Sequence, residues 1–253
     1  MDSQDFAKAV EEHGPRLYRL AGRLAPPGVD PDDLLQETFE RAWRHRDRFR
    51  GQASLGTWLH SIMVNRARDH TRAWMRLRDR AAERPGSDAR LLDLSLEDPA
   101  EVVARAERED ELRIALAQLP LAERSVVALH DGEGFTASEI AQMFHSSEAA
   151  THKRIQRGRF RLAQVLESPH GVSQPPLSCR IARRSASAYL DGELPPAAAH
   201  EVEQHLNECD HCPPVMQAII GIRGALSSTP ERLPPATLDR LRDSLKFEGT
   251  DRR

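Results

Sequence analysis

Two breaks in the chain constrain its fold more than any other feature. Pro85-Gly86-Ser87 opens a polar stretch that runs to about Pro99, and a second break runs from Ser168-Pro169 to Pro175-Pro176. Clusters of proline, glycine and serine interrupt regular structure. They leave three stretches, 1–84, 100–167 and 177–250, with linkers at 85–99 and 168–176, and none of the three is long enough to enclose one large core. Within each stretch apolar residues recur at helical spacing, and runs of alternating β-branched residues are absent. The expected fold class is therefore all-α: three small helical domains joined by flexible linkers.

The net charge of -3 says little until the charges are mapped, because a polyanion meets a face and not an average. Between Arg41 and Arg84 twelve arginines stand against four acids, and Lys153, Arg154, Arg157, Arg159 and Arg161 form a second basic block without an acid. The stretch from Asp88 to Glu111 between them is acidic. Two basic islands on an acidic tether suggest two contacts with one nucleic acid. No apolar run approaches the roughly 20 residues that cross a bilayer, and the N-terminus lacks a secretory layout. A cytoplasmic protein with no membrane partner is expected. All three cysteines lie in the last third of the chain, which points to metal or redox chemistry and away from a disulfide framework.

In the first stretch Asp30-Pro31-Asp32-Asp33 is a good helix start, with proline in the first turn and acids near the positive end of the dipole. Leu34, Leu35, Thr38, Phe39, Ala42 and Trp43 then share one face, and Gln36, Glu37, Arg41 and Arg44 the other. A second helix begins near Gly56-Thr57, with an apolar stripe through Leu59, Ile62 or Met63, Ala67, His70, Trp74 and Leu77. Between these lie Asn65, Arg66, Arg68, Asp69, Arg72 and Arg76. A face of arginine and asparagine beside Trp58 and Trp74 can meet phosphates and stack on bases, although aromatics at helical spacing are more often core.

The string from Asp33-Leu34-Leu35-Gln36-Glu37-Thr38-Phe39 to Trp43, followed by Trp58-Leu59-His60 through Asn65-Arg66-Ala67-Arg68-Asp69, resembles the second conserved domain of sigma factors. That resemblance implies that Asp33, Gln36, Glu37 and Phe39 dock on the clamp helices of core RNA polymerase. It implies that the helix with Trp58, Asn65, Arg66, Arg68 and Arg72 opens and reads the minus-ten element of promoter DNA, while the loop from Phe49 to Leu55 holds a flipped base.

In the second stretch a helix with Leu112, Leu116 and Leu119 ends at Pro120, and Ala122-Glu123-Arg124 reopens one. Thr136 with Glu139 three residues on is a capping-box arrangement. After His145-Ser146-Ser147 a further helix runs through Ala150, Ile155, Arg159 and Leu162, its exposed side being the second basic block. This is the spacing of a helix-turn-helix. Leu119-Pro120-Leu121-Ala122-Glu123-Arg124, Glu139-Ile140-Ala141 and Arg154-Ile155-Gln156-Arg157-Gly158-Arg159 resemble the fourth domain of sigma factors. The resemblance implies reading of the minus-thirty-five element by Thr151, His152, Lys153, Arg154 and Arg157. Two departures block any transfer of promoter preference: His145-Ser146-Ser147 stands where the family commonly has glycine, and the recognition helix opens Glu148-Ala149-Ala150-Thr151-His152-Lys153.

The third stretch holds His205-Leu206-Asn207-Glu208-Cys209-Asp210-His211-Cys212. On one helix His205 and Cys209 share a face and Cys212 follows three residues on. With Cys179, which precedes a helix from Ile181 to Leu190, they make a Cys3His set for one structural or redox-labile zinc ion; His211 is a competing ligand that points elsewhere. The thiolates can form a disulfide on losing the metal. Cys179, Tyr189-Leu190-Asp191-Gly192-Glu193-Leu194 and His205-x3-Cys209-x2-Cys212 resemble the zinc-binding anti-sigma family, here fused in cis. That family wedges between the sigma domains and masks their polymerase surfaces.

Apolar helices through Val215, Ile219, Ile220, Ile222 and Leu226, and through Leu233, Leu238, Leu241 and Leu245, can pack within this third unit or against the sigma domains; the small size of the unit favours the intramolecular contact. The expectation is an extracytoplasmic-function-type sigma factor regulated in cis, and not an enzyme. A metal-responsive repressor would have no use for the Asp33-to-Asp69 strings, and a zinc hydrolase would need an open coordination position.

Overall fold

The computed structural model describes residues 3–51, 53–82, 111–167, 177–227 and 233–244, and among these residues no strand occurs. They assort into two compact units, one holding the described residues up to 82 together with 233–244, the other holding 111–227. The linkers expected at 85–99 and 168–176 lie outside the described residues.

The first unit is built from α1 (Ser3–Leu24), α2 (Pro31–Arg44) and α3 (Leu55–Ala82). The Asp30 side chain caps α2 by accepting from the Asp32 N–H at 2.9 Å, with Pro31 in the first turn. Phe6, Leu17, Leu20, Leu34, Leu35, Phe39, Leu59 and Met63 are fully buried, which is where most of the stabilisation of three amphipathic helices resides. Phe6 meets Phe39 edge to face at 6.1 Å between ring centroids. The stripe on α3 is buried through Leu59, Ile62, Met63 and Ala67, whereas Leu77, expected on the same stripe, is 63% exposed. The cause is length: α3 has 28 residues and α2, which packs on it, 14, so the far end of α3 extends beyond that neighbour.

A late segment completes this unit. In α11 (Pro235–Ser244) Thr237 Oγ1 donates to Asp32 Oδ1 at 2.9 Å, and Arg240 pairs with the same carboxylate. Leu233, just before α11, lies so close to α1 that a Cβ at Gly14 would stand 2.7 Å from its Cδ1. Leu241 is buried.

The second unit begins with α4 over residues 111–117, then α5 (Leu121–Val127), which runs into a π turn at Ala128–Gly132. Next come α6 (Ala137–Phe144) and α7 (Glu148–Glu167), followed by α8 (Leu177–Leu190), α9 (Pro196–Glu208) and α10 (Cys212–Ser227). The capping box forms: Thr136 Oγ1 accepts from the Glu139 N–H, and the Glu139 carboxylate accepts from the Thr136 N–H at 2.8 Å. His145 closes α6 in the left-handed region at φ 50, a conformation costly for any residue with a Cβ. Leu112, Leu116, Leu119, Val127 and Leu162 share one core with Ile219, Ile222 and Leu226 of α10.

Two local expectations change. His205 and Cys212 are not on one helix: α9 ends at Glu208, Cys209 is extended (φ -119, ψ 120), and Cys212 opens α10. Pro213-Pro214 lack the N–H that an interior helical turn donates, so they sit in a new first turn. Cys179 does not precede its helix; it lies in the first turn of α8.

Candidate metal centre and nucleic-acid faces

The end of α9, the Cys209 turn, the start of α10 and the start of α8 converge. The ligand atoms of Cys179, His205, Cys209 and Cys212 all lie within 4.8 Å of one another. Cys179 Sγ is 3.5 Å from Cys209 Sγ, and His205 Nε2 is 3.4 Å from Cys212 Sγ. Tetrahedral zinc with Zn–S bonds near 2.3 Å requires sulfurs about 3.7 Å apart, so the four residues fit the ion. Cys179 and Cys212 are buried and the other two half-buried. His211 is exposed and contributes its backbone N–H, which donates to Cys209 Sγ at 3.4 Å.

That N–H is the leading cause that pulls the Cys209 thiol down to about 6, whereas burial pushes Cys179 up to about 11. A cation held between the three sulfurs would favour the thiolate form of all of them. Zinc bound there would tie α8 to the α9–α10 turn.

The faces expected to meet polymerase and DNA are only partly available. On α2, Asp33 is exposed and Gln36 and Glu37 are half-buried. Gln36 Nε2 donates to Glu40 at 3.0 Å, and Glu37 Oε2 is 2.8 Å from His70 Nε2 on α3. Phe39, expected on that docking surface, is fully buried; it packs α2 on α1 and presents nothing to a partner. On α3, Asn65 and Arg72 are exposed and Arg66 and Arg68 half-buried. Asp69 pairs with Arg66 and lies 4.0 Å from Arg72, while Arg68 Nη1 donates to Asn65 Oδ1 at 3.4 Å. Trp58 packs against Phe49 with ring centroids 5.2 Å apart and the ring planes tilted by 38°.

On α7, Lys153 and Arg157 are exposed and His152 and Arg154 half-buried. Thr151, expected to touch DNA, is fully buried; its hydroxyl lies 3.2 Å from the Ser147 carbonyl and 3.0 Å from Ser146 Oγ, so it fastens the turn. Arg159, expected on the exposed side, is 1% exposed. It donates to both carboxylate oxygens of Asp131 and, from Nη1 and Nη2, to Asp191 at 2.8 and 2.9 Å. Ser187 Oγ accepts from Nη1 at 2.6 Å. These bonds raise the Arg159 pKa against the opposing effect of burial, and they hold Asp191 below its usual range. Asp191 is the residue that sequence reasoning passed over. Its signal was present: it ends α8 before Gly192, which has φ 71, and α7 has an arginine beside its core stripe.

Among the described residues no helix is long and apolar enough to cross a membrane. Three family models match the chain: Sigma-70 region 2 over residues 9–77, Sigma-70, region 4 over 109–162, and a zinc-finger family over 179–212. The ECF RNA polymerase sigma factor SigM of Mycobacterium tuberculosis (strain ATCC 25618 / H37Rv) is 31% identical over 168 residues, covering 65% of this chain and 79% of SigM. RNA polymerase sigma factor NccH of Alcaligenes xylosoxydans xylosoxydans is 30% identical over 167 residues, covering 66% and 89%. A solved structure of CnrH in complex with the cytosolic domain of CnrY is 25% identical, with a TM-score of 0.48, over 67% of this chain and 92% of that one. Helices that carry the two sigma regions in order, followed by a Cys3His cluster, have their explanation in this kinship: the chain belongs to the ECF RNA polymerase sigma factors, which act in transcription initiation, and bears a zinc-finger segment after region 4.

Proposed function

We propose that this sigma factor directs promoter-specific initiation by core RNA polymerase and that its zinc-finger segment restrains it in cis, with a Cys3His zinc site as the point of control. Catalysis of its own has no part in the role, and the cytoplasm, where polymerase works, is its place of action. Asp33, Gln36 and Glu37 carry the polymerase contact. Asn65, Arg66, Arg68 and Arg72 with Trp58 carry the minus-ten contact, and His152, Lys153, Arg154 and Arg157 the minus-thirty-five contact.

The observation that supports restraint is the shared core. Ile219, Ile222 and Leu226 of the segment after the zinc cluster are buried with Leu112, Leu116 and Leu162 of region 4. A segment that completes a neighbour's core changes that neighbour when it is loosened. Loss of zinc, by chelation or by oxidation of the ligating thiols, is the chemistry that would loosen it.

The test is in vitro transcription with core polymerase on a selected promoter. The zinc-loaded full chain is compared with the same chain after chelation and with Cys209→Ser. More transcript from the metal-free forms supports restraint. Less transcript means that the segment supports the holoenzyme, and equal transcript means that it does neither.

A further inference from the structure

The contacts between α7 and α8 run along the helix that region 4 would present to DNA. His152 Nδ1 lies 3.3 Å from Glu193 Oε2. One turn on, Gln156 Nε2 donates to the backbone carbonyls of Arg183 and Arg184 at 2.9 and 2.8 Å. Three residues later Arg159 is held by Ser187 and Asp191. Residues 152, 156 and 159 form one row, and α8 with the turn after it covers that row for its whole length.

The major groove of B-DNA is about 12 Å wide and admits a single helix. Arg184, Ser187 and Ala188 of α8 and Glu193 after it line one open cleft with His152, Lys153, Arg154 and Arg157, the side chains assigned to the upstream element. A duplex that reaches those side chains therefore meets α8 and the turn that follows it.

The seam between them is electrostatically uneven. An open cleft of about 880 Å³ separates Lys153, Arg154 and Arg157 on α7 from Arg184 on α8, with Glu193 as the acid in its lining. Like charges that face each other across water repel, and phosphates arriving at the α7 side neutralise that charge. Polar bonds and the buried Arg159 hold the seam beside the reading face, and apolar packing of Leu190 on the core that contains Leu162 holds its far end.

We propose that α8 of the zinc-finger segment and the turn after it mask the DNA-reading face of α7 across their shared cleft, so that closed packing of that segment and occupation of the upstream promoter element exclude one another, with Arg159 and Asp191 as the latch. This rests on the reading that the segment restrains the factor in cis, and it assigns the restraint to DNA recognition. Zinc on Cys179, His205, Cys209 and Cys212 would hold the start of α8, the latch holds its end, and either can be released.

The experiment uses holoenzyme made with the full zinc-loaded chain and two templates, a duplex promoter with its upstream element and one pre-opened around minus ten without it. Wild type is compared with Asp191→Asn/Ser187→Ala and with Glu193→Lys, whose side chain is at the surface and whose folding is not at risk. The expected result is about tenfold more transcript from the duplex promoter, the shift that one decade in the closed–open equilibrium supplies, and no change on the pre-opened template. An equal rise on both templates overturns the inference and leaves cis restraint standing, exerted through polymerase docking. No change in either variant, while chelation still activates, also overturns it. If chelation does not activate either, the proposed function itself has failed. Hydrogen exchange of the full chain gives a second reading: added promoter duplex should speed exchange in residues 182–190 of α8. Slower exchange there would mean that DNA bridges the cleft and that α8 is part of the binding surface.

Discussion

Two helices of this molecule carry basic faces of similar composition, and they are used differently. On α3 Asn65 and Arg72 are exposed, and the acid that partners the arginines there, Asp69, belongs to the same helix. On α7 Lys153 and Arg157 are exposed as well, but the row of His152, Gln156 and Arg159 beside them is bonded to Glu193, to the carbonyls of 183 and 184, and to Asp191. A face neutralised from within its own helix stays available to a ligand, whereas one engaged by another helix must first be vacated. Whether a basic stretch is a ready surface or a reserved one is therefore decided by tertiary partners, which composition does not reveal.

The strongest way to break this contrast is to remove the guanidinium. Arg159→Met strips the buried Asp131 carboxylate of its guanidinium and leaves Asp191 with only Arg223 and His130 beside it, and should cost about 3–5 kcal/mol. Urea unfolding of the full chain, followed by a probe in residues 111–227, checks this. A loss below about 1 kcal/mol would mean that the network is not what holds α8 on α7.

The first unit should respond to acid instead. Burial pushes His60 down to about 4 from 6.5, and its Nδ1 lies 2.7 Å from the Gly56 carbonyl. The unfolded chain takes up this proton below about 6.5 and the folded chain only below about 4, so stability rises with pH between those values. Acidification across the window should remove about 3 kcal/mol. Unfolding midpoints from pH 7 to 4 measure the slope, and His60→Gln should flatten it.

His145→Gly, which relieves the left-handed φ at the end of α6, should raise the stability of the second unit by about 1 kcal/mol. Calorimetry of the full chain reads this out. The smallest effect belongs to Asp32→Ala, which removes the partner of Thr237 and Arg240. It should cost about 1 kcal/mol or less and speed hydrogen exchange in residues 233–244.

Much of the fold was legible because helical periodicity and capping are local. Leu34, Leu35 and Ala42 are buried as their spacing requires, and the Thr136–Glu139 box forms. The four metal-cluster residues were legible as well, since only a few side chains bind zinc and their spacing is short. The path of the chain between the ligands was not legible, because a helical count from His205 to Cys212 ignores the cost of two prolines. Phe39 and Thr151 were assigned to surfaces by resemblance alone, and both are buried. Arg159 counted as one more charge in a basic run, although on the helical wheel it borders Ile155 and Leu162; two acids distant in sequence put it inside.

The placement of α11 bears on the order in which the molecule is made. Asp32 belongs to α2, and Thr237 follows it 205 residues later in α11, together with Arg240. During synthesis α1, α2 and α3 can collapse on their shared apolar face while all of 111–227 is still to be translated, and the Asp32 side of α2 remains uncovered throughout. The newborn chain therefore passes through a period in which its region 2 is exposed as it will not be once α11 has docked, and its length is set by the rate of translation.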